Sequence, residues 1–269
     1  MATETGLART ARLGKSRWGA GWLFSVMVIL IVTRAAVAGP PYFTDDPVPV
    51  DKGHGEFYIA SMGTWDRDSV FATLPHFEFN YGPFDNVQLH AITPMVIDRV
   101  NDSGMTNYGY GDTELGVKYR FIQEDQLFKG CPQVATFPLV ELPTGDQRLG
   151  LGNGRVQVYV PIWLQKSWGP DNRQWTLDGG GGYWFNHGKG NLDFGFFGIL
   201  LQKQVADNLT IGGEVYHDTV SAAGQTAHTG VNVGAVYDFS DHWHGLLSVG
   251  RDIDGSWLMN SYAAIQLTY

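Results

Sequence analysis

Beyond residue 39 the dominant regularity of the chain is a period of two. From Leu115 to Phe121 every odd position is apolar (Leu115, Val117, Tyr119, Phe121), and Gly116, Lys118 and Arg120 lie between them. A β-strand turns successive side chains to opposite faces, so this segment has one greasy face and one polar face. The same alternation sets Gln157, Tyr159 and Gln165 against Val156, Val158, Val160, Ile162 and Leu164, and sets Ala264, Gln266 and Thr268 against Ala263, Ile265, Leu267 and Tyr269. Such segments predict about twelve strands, at 55–65, 70–81, 86–97, 111–122, 133–143, 156–168, 174–187, 192–205, 208–219, 226–239, 243–251 and 258–269.

The links between them alternate in character. Gly82 to Asp85, Gly169 to Arg173, Ala206-Asp207-Asn208 and Ser240-Asp241-His242 are tight, whereas Asp98 to Tyr110, Thr144 to Arg155, His187 to Asn191 and Ser221 to Gln225 are longer or richer in Gly. Ile122 to Gly130 departs from the rule, being long where a short turn is expected. An even number of strands of about ten residues, with turns at one end and loops at the other, describes an all-β, antiparallel transmembrane β-barrel. A soluble sandwich or lipocalin-like barrel alternates too. The apolar face decides between them, because Phe77, Phe79, Tyr81, Trp175, Tyr183 and Phe185 give it the aromatic load of a lipid-facing wall.

Composition narrows the class further. Glycine supplies 35 of 269 residues, nearly twice the roughly 7% of average usage, and the charged fraction of 17% falls below the usual roughly 25%. That balance excludes a helical, coiled-coil or disordered protein. Cys131 is the only cysteine, which removes an intrachain disulfide and a cysteine-based zinc site. Arg9, Arg12, Lys15 and Arg17 precede the apolar run Ala20 to Val32, and Ala36-Val37-Ala38 follows it. This is the pattern of a secretory signal peptide over 1–38, cleaved before Gly39, and with a barrel behind it the destination is the outer membrane of a Gram-negative bacterium. The remaining chain has 13 Lys and Arg against 26 Asp and Glu, a net charge of −13, so nucleic acid is not an expected partner. Residues 39–53 hold four prolines and no alternation, which suits either a solvated leader or a plug carrying Tyr42 and Phe43, ahead of a barrel over 54–269.

The segments "GPPYFTDDPVPVDKGHGEFYIAS", "GDTELGVKYRF", "FPLVELPTGD", "GLGNG", "PIWLQKSWG" and "DGGGGYWFN" resemble an outer-membrane transporter family named for the meta-pathway of phenol degradation. The resemblance covers almost the whole chain after residue 38. It implies an outer-membrane barrel that passes small, aromatic compounds, and it brings no catalytic signature. The final "YAAIQLTY" resembles the signal by which barrel-assembly machinery takes up a last strand, with Ala264 where that pattern often has Gly.

With the apolar face against lipid, the alternation turns Glu56, His76, Glu78, His90, Glu114, Lys118, Arg120, Glu141, Asp178 and Glu214 into the lumen, together with Tyr159, Trp163 and Trp184. A Lys or Arg facing lipid at mid-bilayer costs roughly 2–4 kcal/mol, which favours the inward assignment. These groups serve either as internal salt bridges or as the walls of a solute path. The expected channel is narrow and weakly cation-preferring. Pro75, Pro94, Pro138 and Pro161 fall inside strands and call for bulges or bends. Gly179 to Gly182 leaves room on one wall for a bend or a close-lying segment. Other readings are a structural or adhesin-like barrel and, through His217-Asp218-Thr219, an outer-membrane lipid hydrolase, although Thr stands where such a site wants Ser. No cofactor or metal is expected.

Overall fold

The computed structural model describes residues 39–100, 104–188, 190–254 and 258–269. The signal segment 1–38 lies outside them. Fourteen strand segments run in chain order as β1 (Gly55–Trp65), β2 (Ser69–Phe84), β3 (Val87–Val100), β4 (Met105–Tyr110), β5 (Thr113–Ile122), β6 (Gln133–Thr136), β7 (Leu139–Leu142), β8 (Gln157–Trp168), β9 (Trp175–Phe185), β10 (Phe194–Ala206), β11 (Leu209–Asp218), β12 (His228–Asp238), β13 (Trp243–Asp252) and β14 (Met259–Thr268). β4 and β5 are halves of one stave, broken at Gly111 and Asp112, and β6 and β7 are halves of the next, broken at Phe137 and Pro138. Every neighbouring pair is antiparallel, and β14 returns to β1 in a register from Glu56↔Thr268 to Trp65↔Met259. The sheet therefore closes into a barrel of twelve staves, which leaves no edge to protect.

The loop expected over Asp98 to Tyr110 is mostly strand. β3 continues to Val100 and β4 starts at Met105, pairing Val100↔Met105 through Met95↔Tyr110. Its inward positions, Asn107 and Gly109, are small and polar while Tyr108 and Tyr110 face out, so the alternation is present with turn-forming residues in it.

The prolines sit where the ladder is already interrupted. Pro75 lies in the register shift between Thr73 and His76, and Pro138 in the break between β6 and β7. Pro94 faces the other stave break, its carbonyl accepting the Gly111 N–H at 2.9 Å. Pro161 faces the Phe137–Pro138 break and accepts the Thr136 hydroxyl at 2.8 Å. A proline lacks a ladder donor, so these positions leave no carbonyl waiting for one.

Polarity is inverted relative to a soluble protein. Ile59, Leu89, Val117, Ile199, Val233 and Leu247 are exposed on the outside, while Asn80, Gln88, Gln165, Gln202, Asn232 and Gln266 are buried within. Aromatic side chains gather at both rims: Trp168, Trp175, Phe239, Trp243 and Tyr269 at the turn end, and Tyr108, Tyr110, Tyr183 and Phe185 at the loop end. That is a lipid-facing belt with two girdles. At the turn end Asn86, at φ 63°, closes the tight link between β2 and β3. The long link after β5 is tied down by Asp125, which takes the Gly130 N–H at 2.7 Å and meets Lys166 Nζ at 2.8 Å, and Lys166 holds its carboxyl below the usual range.

Candidate functional site

The lumen begins with a segment that belongs to no strand. Residues 39–50 run inside the barrel: Tyr42 packs on the buried Leu200, and Thr44, Asp46 and Pro47 are buried as well. A buried irregular segment must satisfy each backbone N–H, and Pro40, Pro41, Pro47 and Pro49 have none to satisfy. Lumen side chains take up others. Glu214 accepts the Phe43 N–H at 2.9 Å and the Thr44 N–H at 2.7 Å, one oxygen each, and Gln88 accepts the Val50 N–H at 2.9 Å. The Ser248 hydroxyl donates to the Pro41 carbonyl at 2.5 Å. Glycine makes the space: a Cβ at Gly198 would collide with the Thr44 hydroxyl, and one at Gly212 would lie 2.6 Å from Tyr42 Oη.

Charge fixes the same segment. Lys118 Nζ lies 3.0 Å from Asp45 and 3.6 Å from Asp46, and 4.9 Å over the Phe137 ring. Asp178 beside this region takes Gln165 at 2.7 Å and Gln202 at 3.1 Å. Arg120 spans Asn86 and Gln133, both at 3.0 Å through Nε and Nη1. Glu56 accepts the Tyr58 hydroxyl at 2.9 Å. Lys118, Asp178, Glu214, Arg120 and Glu56 thus form the turn-side half of the lumen, each with identified partners.

The loop-side half joins this one through Asn80, which reaches Glu56 at 3.4 Å, and is then built differently. His90 joins Glu114 at 3.0 Å, Glu78 at 3.6 Å and Asn80 at 2.7 Å. His76 Nδ1 meets the Thr73 hydroxyl at 3.1 Å. Glu141 stands directly across the strand pair from Glu114 and accepts Asn153 Nδ2 at 2.7 Å. Tyr159 stacks on Trp184 with ring centroids 4.7 Å apart, and Trp163 meets Phe196 edge-on at 6.2 Å. The space on this wall left by Gly180 and Gly182 is occupied by neighbours, since a Cβ at Gly180 would strike the Ile162 carbonyl and the Trp163 ring.

Within this loop-side half lies a cavity of about 590 Å³, bordered below by Pro40 to Phe43 and above by Gly150 to Asn153. Its upper border is the loop 143–156 folded inward, with Leu151 buried. Asp112 anchors that loop, one oxygen taking the Gly145 N–H at 2.8 Å and the other the Asn153 N–H at 2.5 Å. On the same loop Asp146 caps a 3₁₀ turn, and Arg148 holds its carboxyl below the usual range.

The cavity also takes in Phe71, Asp112, Phe137, Phe196 and Tyr262, which are not among the lumen residues expected from sequence. Phe196 and Tyr262 share parity with Gln202 and Gln266 and are accessible to alternation. Phe71 is not, because the shift at Pro75 reverses the parity of β2.

Two further groupings sit at the loop end. His217 pairs with the Thr229 hydroxyl at 2.9 Å and the Thr219 hydroxyl accepts the Gly195 N–H at 2.8 Å, so each is engaged elsewhere. His228 meets Asp252 at 3.0 Å, and together with Asp254, which accepts the Thr229 N–H at 2.8 Å, they bring three ligand-type atoms within 4.8 Å of one another.

The fold is similar to that of the COG4313 outer membrane channel from Pseudomonas putida F1, at 14% identity over 87% of this chain and 100% of that one, with a TM-score of 0.62. Weaker likenesses reach a KdgM porin in complex with disordered oligogalacturonate (11% identity, 80% and 99% covered, TM-score 0.48) and the translocator domain of the autotransporter NalP from Neisseria meningitidis (13% identity, 80% and 87% covered, TM-score 0.47). No protein-family model matches the chain, and no curated protein sequence does. The likeness is one of fold: a closed barrel of the outer-membrane kind.

Proposed function

We propose that the protein is an outer-membrane channel for small, predominantly apolar solutes with aromatic rings, and that residues 39–53 are a plug that sets its bore. The observation that carries this reading is the cavity of about 590 Å³ with Phe137, Tyr159, Trp163, Trp184 and Phe196 on its walls and the prolines at its floor. A barrel of twelve strands lies between the eight-stranded kind that side chains fill and the sixteen-stranded kind that stays open. What occupies the lumen therefore decides what passes. Stacked rings give a planar solute a surface to slide on, while a large hydrated sugar finds no wide aqueous path.

The motifs that resemble the phenol-degradation transporter family support an aromatic cargo. Export through the signal at 1–38 and insertion by barrel-assembly machinery acting on β14 complete the reading, with outer-membrane lipid as the surrounding partner. Proteoliposome swelling tests it. The full mature chain is expected to admit small monocyclic aromatics faster than disaccharides. Equal uptake of the two contradicts an aromatic path, and no uptake of either favours a structural or adhesin-like barrel.

A further inference from the structure

The cavity wall has an unusual charge balance. Asp45, Glu78, Asp112, Glu114 and Glu141 border it, and among the described residues no Lys or Arg does. Two cations of the lumen are committed on the turn side, Lys118 to Asp45 and Asp46 and Arg120 to Asn86 and Gln133. Glu114 and Glu141 are direct cross-strand partners on the same face, an arrangement of like charges that costs stability unless something positive stands nearby. The nearest provision is His90, which Glu114 shares with Glu78.

Polar atoms in the same wall await a partner. Tyr159 Oη, Tyr262 Oη, His76 Nε2 and Asn232 Oδ1 have no hydrogen bond to any atom of the described residues, in side chains that are 5, 8, 7 and 3% exposed. Buried polar groups are normally satisfied, and all four belong to residues that border this cavity, where a bound solute would be their nearest source of partners. All four can accept a hydrogen bond from an ammonium group, and Asn232 Oδ1 can only accept. Trp163 Nε1, also without a partner, donates only, and it suits an oxygen elsewhere on the same solute.

Aromatic faces complete the set. The ring pairs Tyr159–Trp184 and Trp163–Phe196 belong to one packed cluster on the cavity wall, and a desolvated ring face attracts a cation through its quadrupole. We infer that this cavity selects small organic cations, ammonium groups carried on an aromatic or alkyl body, over neutral and anionic molecules of the same size. The inference rests on the channel reading for its biological sense and deepens it by naming the class of solute. Rings and carboxylates share the solute between them, the rings taking its body and Glu114 and Glu141 its charge.

Benzylammonium, benzyl alcohol and benzoate share a ring and differ in charge, so isothermal titration of the three into the full mature chain in detergent micelles isolates the effect. Benzylammonium is expected to bind about tenfold more tightly than benzyl alcohol, with benzoate weaker still. Glu141→Gln keeps the Asn153 contact and should cut the benzylammonium to benzyl alcohol ratio about fivefold, whereas Asp171→Asn, exposed in the tight turn between β8 and β9 at the opposite end, should leave that ratio unchanged. Benzyl alcohol or benzoate binding as tightly as benzylammonium overturns the inference, as does absence of binding by all three. Neither outcome touches the channel reading, which fails instead if swelling assays show that the barrel passes no solute.

Discussion

The two halves of this lumen use the same residue types to opposite ends. On the turn side, carboxylates meet cations or several donors: Lys118 holds Asp45 and Asp46, and Glu214 takes two backbone N–H groups together with Asn232 Nδ2 at 2.6 Å. On the loop side, Glu114 and Glu141 face each other, and the polar atoms of Tyr159, Trp163 and Tyr262 have no partner among the described residues. The contrast is one of charge: the turn side gives its carboxylates cations and backbone donors, whereas the loop side sets two carboxylates against each other across one strand pair. The first half holds a segment of its own chain, and the second is shaped to hold a visitor.

The two largest expected effects test the wall that both halves share and the plug it encloses. Val117→Arg places a charge on the lipid face of β5 and should destabilise the barrel by about 2–4 kcal/mol in urea unfolding from micelles. Its neighbour Lys118 belongs to the lumen. Lys118→Gln should leave the barrel folded while stranding Asp45 and Asp46, a loss of the order of 3–5 kcal/mol for a buried pair broken from one side. That loss falls on the plug, so the readout is rapid opening and closing in single-channel records and faster proteolysis within 39–53. If Lys118→Gln unfolds the barrel and Val117→Arg does not, the assignment of faces is reversed.

A smaller effect sharpens the contrast from the other side. Trp163→Ala removes a ring from the cavity and should weaken aromatic binding by about 1.5 kcal/mol, roughly tenfold, with the plug unchanged. Opening and closing as rapid as that of Lys118→Gln would mean that the two halves are not separate. Smallest of all, Asp125→Asn at the exposed turn should leave the urea midpoint where it is and alter neither half, because a solvated ion pair contributes little to stability.

How far the sequence reveals this arrangement depends on which force positions each residue. The barrel wall is set by alternation, which is local, and so β5, β8 and β14 are readable from Leu115 to Phe121, Val156 to Leu164 and Ala263 to Tyr269. Alternation also places Glu141, Tyr159, Trp163 and Trp184 on the lumen side. It fails where the backbone departs from period two, as at Pro75, whose register shift hides Phe71, and in β4, whose Asn107 and Gly109 look like a loop. The segment 39–53 is harder still. Its prolines read as a solvated linker because composition does not distinguish a chain that avoids donors in water from one that avoids them in a buried lumen. Glu214, Gln88, Lys118 and Ser248, more than thirty residues away along the chain, separate the two cases, and the fold brings them together.

The division of the lumen is tested most directly by single-channel conductance of the full mature chain against a chain lacking residues 39–53, both refolded into the same lipid. The plug reading predicts a small conductance for the full chain and a several-fold larger, steady one for the deletion, approaching that of an open twelve-stranded bore. Equal conductance of the two, with both barrels folded, would contradict it.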